Sequence, residues 1–378
     1  MATTHTFIVN AITFKYHLEY MFAGTGAKDK VIDFNNTPTS NLHSTTENNL
    51  LGMIADSQRV RVGDYVIFYL LQNFEKNIYE GKFYGVFRVK EAPSFLDNND
   101  GEQFLKDSLG KSLTFRTIIE PYQVYAKGVT EWEALDEIKD IHSPYQMLWS
   151  LIYRKLKANR GNTMITIYES ERLNNLIRNK NNSKILHGEN FSFNERTEEI
   201  ESVERSYSYA GRKEILNILP RLVRKYNEGK QFETHLQVYL LQNIENLPMF
   251  SDQHIEWIGN EVSCGCGTQR IDIMLSIVGE NRKIILIELK SGLAKEGIMA
   301  QLQRYVDWAE QYYVSNAPSC IEPMIISRKI RDKTTQAYGT LISSFDAFNL
   351  RNEPLKLRYI EFSINTENDE INFDEIIY

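Results

Sequence analysis

The sequence predicts two domains of different class: a mostly β, barrel-like α+β domain over residues 1–177 and an α/β domain with a mixed central sheet over residues 206–378. Three observations carry this expectation. The first half is a succession of short runs, "HTFIVNAI", "DYVIFYLL", "FYGVFRVK", "SLTFRTIIEPYQVY" and "NTMITIYE". They are rich in aromatic and β-branched residues and separated by Gly, Asn, Asp and Pro, as strands are. The second half alternates helical and strand patterns, the order of an α/β layer fold. Between them, "RNKNNSKILHGENFSFNERTEEIESVER" (Arg178 to Arg205) is rich in Asn, Ser and charge and has little apolar period, which predicts a linker at residues 178–205.

In the first half, helical spacing is expected around Glu47 to Ile54, Glu131 to Ile138 and Tyr145 to Leu156. In the second, helices are expected at Arg212 to Tyr226 and Phe232 to Asn243, then strands "TQRIDIMLSI" and "KIILIELK", a helix from Ile298 to Tyr313, and strands "EPMIIS" and "LRYIEFSI". No internal repeat or long low-complexity tract interrupts this order.

With 378 residues, 42% of them hydrophobic and 25% charged, each half can bury its own core. No apolar run reaches the roughly 18 uncharged residues of a membrane span, and "MATTHTFIVN" lacks the basic and apolar regions of a secretory signal. Three cysteines, an odd number in a long chain, argue for a reducing compartment, so a cytoplasmic protein without membrane contact is expected.

"KIILIELKSG" sets the chemical problem. Ile284 to Ile287 read as a strand buried on both faces, yet Glu288 and Lys290 follow, two residues apart and therefore on one face. "RIDIMLSIVGENRKIILIELK" reads as a hairpin turning at Gly279 to Arg282, and counting back from that turn brings Asp272 opposite Glu288. Two carboxylates and a lysine therefore converge. Carboxylate oxygens are the hard ligands Mg²⁺ prefers, and a bound divalent ion compensates their burial and acidifies a bound water. Lys290 can orient that water or stabilise charge growing on a phosphate. Upstream, Glu233 lies in the first turn of an amphipathic helix; downstream, Gln301 and Tyr305 stand at i and i+4 on one helical face.

The ordered set Glu233, Asp272, Glu288-Leu289-Lys290 and Gln301-x-x-x-Tyr305 resembles the PD-(D/E)XK nuclease superfamily in its RecB-like branch. From about Phe232 to Trp308 it is most similar to the nuclease domain of NucS-like DNA endonucleases. The resemblance implies Asp272 and Glu288 as ligands of Mg²⁺, for which Mn²⁺ can substitute, with the Leu289 carbonyl assisting and Glu233 as a further ligand directly or through water. It implies Lys290 as the catalytic lysine, with Gln301 and Tyr305 contacting DNA or bracing the site. Ile271 stands where the motif's name has proline, as in many members.

In the first half, "VRVGDYVIFYLL", "EGKFYGVFRVKEAPSF" and "LTFRTIIEPYQVYAKGVTEWEALDEI" resemble the EVE, YTH and PUA-like group of small β-barrels. That resemblance implies a pocket for a flipped, often modified base, with Phe14, Tyr16 and Trp132 as candidate walls. The fusion implies a Mg²⁺-dependent endonuclease acting on double-stranded DNA chosen by its first domain, as a modification-dependent restriction enzyme would. The alternatives are a NucS-like repair nuclease for mismatched or branched DNA and a non-catalytic nucleic-acid reader.

A net charge of −7 does not favour a nucleic-acid binder, but two basic runs do. "GRKEILNILPRLVRKYNEGK" carries Arg212, Arg221, Arg224 and Lys225, and "SRKIRDK" carries Arg328, Lys329 and Lys333. Both are expected to flank the site and hold the DNA backbone. One such site attacks one phosphodiester at a time, so a homodimer is expected for double-strand cleavage, with Trp308, Tyr312 and Tyr313 as candidate interface residues that packing within the fold explains equally well. Cys264-Gly-Cys266 has no second Cys/His pair at zinc spacing, "GTGAKDK" lacks phosphate-loop spacing, so no ATP is expected, and His235 and His254 form no catalytic pattern.

Overall fold

The computed structural model describes residues 2–26, 31–32, 44–91, 94–136, 139, 141–143, 161–264, 269–279, 282–314 and 317–378. The expected helix at Tyr145 to Leu156 and the turn residues Glu280 and Asn281 lie outside the described residues. The chain divides into two compact units, Met1–Asp33 with Gly52–Leu216, and Phe34–Leu51 with Asn217–Tyr378. No helix among the described residues is long and apolar enough to cross a membrane.

The first unit is built on a curled, half-barrel sheet. Its strands are β1 (Thr4–Val9), β2 (Phe22–Thr25), β3 (Tyr65–Leu70), β4 (Lys82–Val89), β5 (Phe95–Leu96), β6 (Phe115–Pro121), β7 (Val129–Thr130) and β8 (Asn162–Ile165). They run in the order β2-β6-β4-β3-β1-β8, with β5 on β6 and β7 on β4. β3 is buried on both faces, so its alternation feeds two cores: Val66, Phe68 and Leu70 join one, Ile67 and Tyr69 the other. The β3–β4 register shifts between Val66 and Phe68, opposite Gly85. Gly85 has φ 155°, and a Cβ there would sit 3.2 Å from the Val66 carbonyl oxygen, so the bulge requires glycine.

Two expected strands end earlier than the apolar pattern suggests. "HTFIVNAI" stops at Val9, because Asn10 and Thr13 form a capping box that starts the helix Ala11–Glu19. "NTMITIYE" stops at Ile165, because Thr166 and Glu169 form a second box for the helix Ile167–Lys180.

The linker expectation is overturned. Within 178–205, β9 (Phe191–Asn194) and β10 (Glu199–Ser202) pair as an antiparallel hairpin. Its Phe191, Phe193 and Ile200 are buried in the core of the first unit. Leu186 N–H donates to the Val124 carbonyl (2.8 Å) and Ile200 N–H to that of Ala126 (2.9 Å), which ties the segment to the unit's main body. Hydrogen exchange provides the check: the Leu186 and Ile200 amides, both donated to the unit's main body, are expected to exchange slowly, whereas a linker would exchange at the free-chain rate. The Arg212 end of the expected basic helix also belongs to this unit. Arg212 pairs with Asp100 at 2.7 Å and Asp97 at 3.4 Å, and the helix itself spans only Leu219–Asn227.

The second unit is a six-stranded mixed sheet in the order β11 (Ile255–Ser263), β12 (Arg270–Ile277), β13 (Lys283–Lys290), β14 (Ile321–Arg328), β15 (Arg358–Asn365) and β16 (Glu370–Ile376). β13, β14 and β15 are parallel, and the outer pairings are antiparallel. The central strands read as near-continuous Ile, Leu and Met because both faces are covered. The helices Glu233–Asn243, Ile298–Trp308 and Gln336–Arg351 complete the layers. β11, β16 and the last helix were not expected. The candidate interface residues Trp308 and Tyr313 are buried in the unit, which removes them from any surface.

Candidate active site

The site is assembled at the ends of β12 and β13. Ile273 pairs with Ile287, and the next step of that register sets Asp272 opposite Glu288. Asp272 Oδ2 accepts the Leu289 backbone N–H at 2.7 Å, which locks the two strand ends together. Glu288 is fully buried. Its Oε1 accepts from Lys290 Nζ at 2.5 Å, and its Oε2 lies 2.9 Å from the Tyr305 hydroxyl. Lys290 Nζ also donates to the Leu289 carbonyl at 2.9 Å. Gln301 Nε2 donates to the Tyr305 oxygen at 2.6 Å, and the hydroxyl proton has a second acceptor in the Arg270 carbonyl at 2.6 Å. The i, i+4 pair of one helix thus holds a hydroxyl against the buried carboxylate.

Glu233 approaches from the other side. Its Oε1 lies 3.8 Å from Lys290 Nζ, and its Oε2 accepts from Ser291 N–H at 3.3 Å. The same helix contributes Gln237, whose amide donates to the Asp272 carbonyl at 2.8 Å.

Burial dominates the electrostatics. It pushes the Asp272 carboxyl well above the usual carboxylate range, and the neighbouring Glu288 charge pushes the same way, against the Leu289 N–H bond. Burial also raises Glu288, with the Lys290 charge and the Tyr305 bond opposing. For Lys290, burial acts downward, but the Glu288 charge and hydrogen bond outweigh it and hold the ammonium protonated. Glu288 and Lys290 balance each other, and ionising Asp272 adds a negative charge that a bound cation would offset.

The donor set fits a small hard cation of the Mg²⁺ class. Asp272 and Glu288 with the Leu289 carbonyl give two carboxylates and one carbonyl oxygen, and Mg²⁺ commonly takes one or two carboxylates and keeps several waters. Among the described residues no group of three His, Cys, Asp or Glu side chains forms a ready ligand cluster. Glu233 stands beyond Lys290, which suits the indirect, water-bridged role better than direct ligation. Because Asp272 must lose its proton to ligate, Mg²⁺ or Mn²⁺ affinity is expected to rise with pH through the raised Asp272 range, and Asp272→Asn to abolish the calorimetric signal.

Asp272, Gln301 and Tyr305 also line a cavity of about 470 Å³, together with Glu261, Arg270 and Arg304. Sequence reasoning missed these last three. The signal was available: Arg270 shares a strand face with Asp272, and Arg304 shares a helix face with Gln301.

The expected backbone-binding residues are redistributed. Arg221 and Lys225 are buried on Glu47, with Arg221 Nη2 at 2.9 Å and Lys225 Nζ at 2.5 Å, and His235 Nε2 lies 3.1 Å from the same carboxylate. These two cations are structural and inaccessible to a phosphate. Arg224, one turn away, is half-buried. Arg328 covers the Tyr226 ring at 5.1 Å, and its N–H donates to the Gly292 carbonyl at 3.0 Å, just beyond Lys290. Lys329 is exposed and paired with Asp374 at 2.9 Å.

The expected base pocket is not formed by its candidates. Phe14 is fully buried, with ring centroids 4.8 Å from Phe193, 5.1 Å from Tyr84 and 5.2 Å from Phe68. Tyr16 packs on a separate cluster around Phe22, and Trp132 is 57% exposed. An aromatic sequence makes many rings available, and here the core claims Phe14 first. Comparison of the chain with protein-family models and with curated proteins gives no match, so the functional reading rests on the residues and geometry above.

Proposed function

We propose that the chain is a divalent-metal-dependent endodeoxyribonuclease of the PD-(D/E)XK type, whose first unit, similar to EVE, YTH and PUA-like readers, selects the double-stranded DNA target. The observation that carries the reading is the convergence of Asp272, Glu288 and Lys290, with Tyr305 and Gln301 behind them. These residues occur in the order and on the element types that the superfamily uses.

In this reading Asp272, Glu288 and the Leu289 carbonyl hold Mg²⁺ or Mn²⁺, with Glu233 at the second remove. The ion supplies an acidified water and charge compensation at the phosphate. Lys290, kept protonated by Glu288, steadies negative charge growing on the phosphodiester. Tyr305 and Gln301 fix the Glu288 carboxylate so that it need not reorganise. The reaction uses no ATP. The chain acts in the cytoplasm, and two copies supply the two centres that a double-strand break needs.

The test is incubation with Mg²⁺ of duplexes matched in sequence but differing in base modification, with mismatched and branched duplexes alongside. Cleavage that needs the metal, prefers modified duplex and falls at least ~100-fold in Asp272→Asn is the expected result. Preference for mismatched or branched DNA would place the enzyme in repair. Metal-independent cleavage, or an unaffected Asp272→Asn variant, would overturn the assignment.

A further inference from the structure

We propose that the cavity beside Asp272 grips the DNA backbone next to the bond that is cut. In it Arg270 and Arg304 take one phosphodiester, and Glu261 occupies Arg270 while DNA is absent. The inference rests on the endonuclease reading and names the residues that hold its substrate, a task the buried Arg221 and Lys225 cannot perform.

Four features lead to it. The cavity is already joined to the chemistry, because Asp272, Gln301 and Tyr305 form part of its lining. Its two cations are guanidiniums, whose planar forks match the paired oxygens of a phosphodiester. Arg304 is exposed and makes no ion pair among the described residues. Arg270 is 47% exposed, and its one carboxylate partner among the described residues, Glu261, sits at 3.3 Å, a long contact that an incoming phosphate can replace.

The placement of Glu261 is unusual. It adopts a left-handed backbone with φ 50° within β11, a conformation that non-glycine residues seldom take and that collects at functional sites. Gln237 Nε2 reaches Glu261 Oε1 at 3.4 Å while donating to the Asp272 backbone carbonyl at 2.8 Å, so one amide ties the Glu261 carboxylate to the strand that carries Asp272. Glu261 thus offsets Arg270 alone, and Arg304 is left to meet an incoming anion.

Fluorescence anisotropy with a short labelled duplex, in Ca²⁺ and over a series of NaCl concentrations, tests the proposal on the full chain. Arg270→Ala and Arg304→Ala are each expected to weaken binding about tenfold and to flatten the salt slope by about one lost phosphate contact. Lys356→Ala serves as the exposed control and is expected to change neither. Glu261→Gln is expected to tighten binding severalfold, whereas a purely structural Glu261 would weaken or spare it. Thermal melts of the four variants separate loss of grip from loss of fold. Wild-type binding and cleavage with both arginine variants unaffected would overturn this inference while leaving the endonuclease reading in place. A wild-type chain that neither binds nor cuts duplex DNA would overturn both.

Discussion

Replacing Lys290 with methionine is expected to lower the rate of DNA cleavage by ~100–1000-fold while duplex binding persists, the loss typical of one preorganised group aimed at developing charge. The ammonium lies between three oxygens: Glu288 Oε1 at 2.5 Å, the Leu289 carbonyl at 2.9 Å and Glu233 Oε1 at 3.8 Å. It is therefore fixed in place before substrate arrives, and methionine keeps its length while removing the charge. Glu288, fully buried, then loses its only cationic partner among the described residues. A buried carboxylate in that position takes up a proton rather than remain charged, so the folded metal-free protein should survive with a modest loss of stability. Single-turnover cleavage and equilibrium binding on the same preparation give the measurement. A variant that cuts at the wild-type rate would remove Lys290 from the chemistry, and one that fails to bind would point to a substrate-holding role instead.

What made Asp272, Glu288 and Lys290 legible is the strand itself. An apolar run with strict period 2 has only two faces, and a short hairpin turn fixes its register, so three polar residues on one face could be located by counting. Gln301 and Tyr305 were legible for the parallel reason that i and i+4 share a helical face.

Glu47 was not legible. It lies 174 residues from Arg221, and no local periodicity reports a contact over that span. The basic helix consequently looked like a solvated or DNA-facing stripe, whereas two of its cations point inward. The 178–205 segment was misread for a different reason. Its hairpin strands have four residues each, too short for alternation to stand out against a polar background, and the burial of Phe191, Phe193 and Ile200 appears only once the rest of the unit is folded. Phe14 shows the limit for aromatics, since composition and spacing alone do not distinguish a ring that stacks on a ligand from one that fills a core.

The buried cluster leads to the second large effect. Glu47→Gln is expected to destabilise the unit formed by Phe34–Leu51 and Asn217–Tyr378 by ~3–5 kcal/mol, because the change strips a buried ion pair of one partner. Glu47 Oε1 accepts from Arg221 and lies beside His235, and Oε2 accepts from Lys225, all with side chains at most 9% exposed. The same carboxylate sets the acid response. Burial alone would raise its pKa, but the bonds from His235, Lys225 and Arg221 outweigh that and pull it down to about 2 from an ordinary value of 4.5. A depressed carboxylate stabilises the fold above its unfolded pKa, and that stabilisation drains away as pH falls from about 4.5 toward 2. His235 acts earlier: burial holds its pKa below 6.5 despite the nearby carboxylate, so the fold favours the neutral ring and begins to lose stability as pH drops below that value. Denaturant unfolding followed from neutral pH into this acid range should therefore show wild-type stability falling in both windows. Glu47→Gln should start lower and fall less steeply in the lower window, where Glu256 and Glu375 still contribute. Equal slopes for the two proteins below pH 4.5 would show that Glu47 is not the group whose protonation loosens this unit.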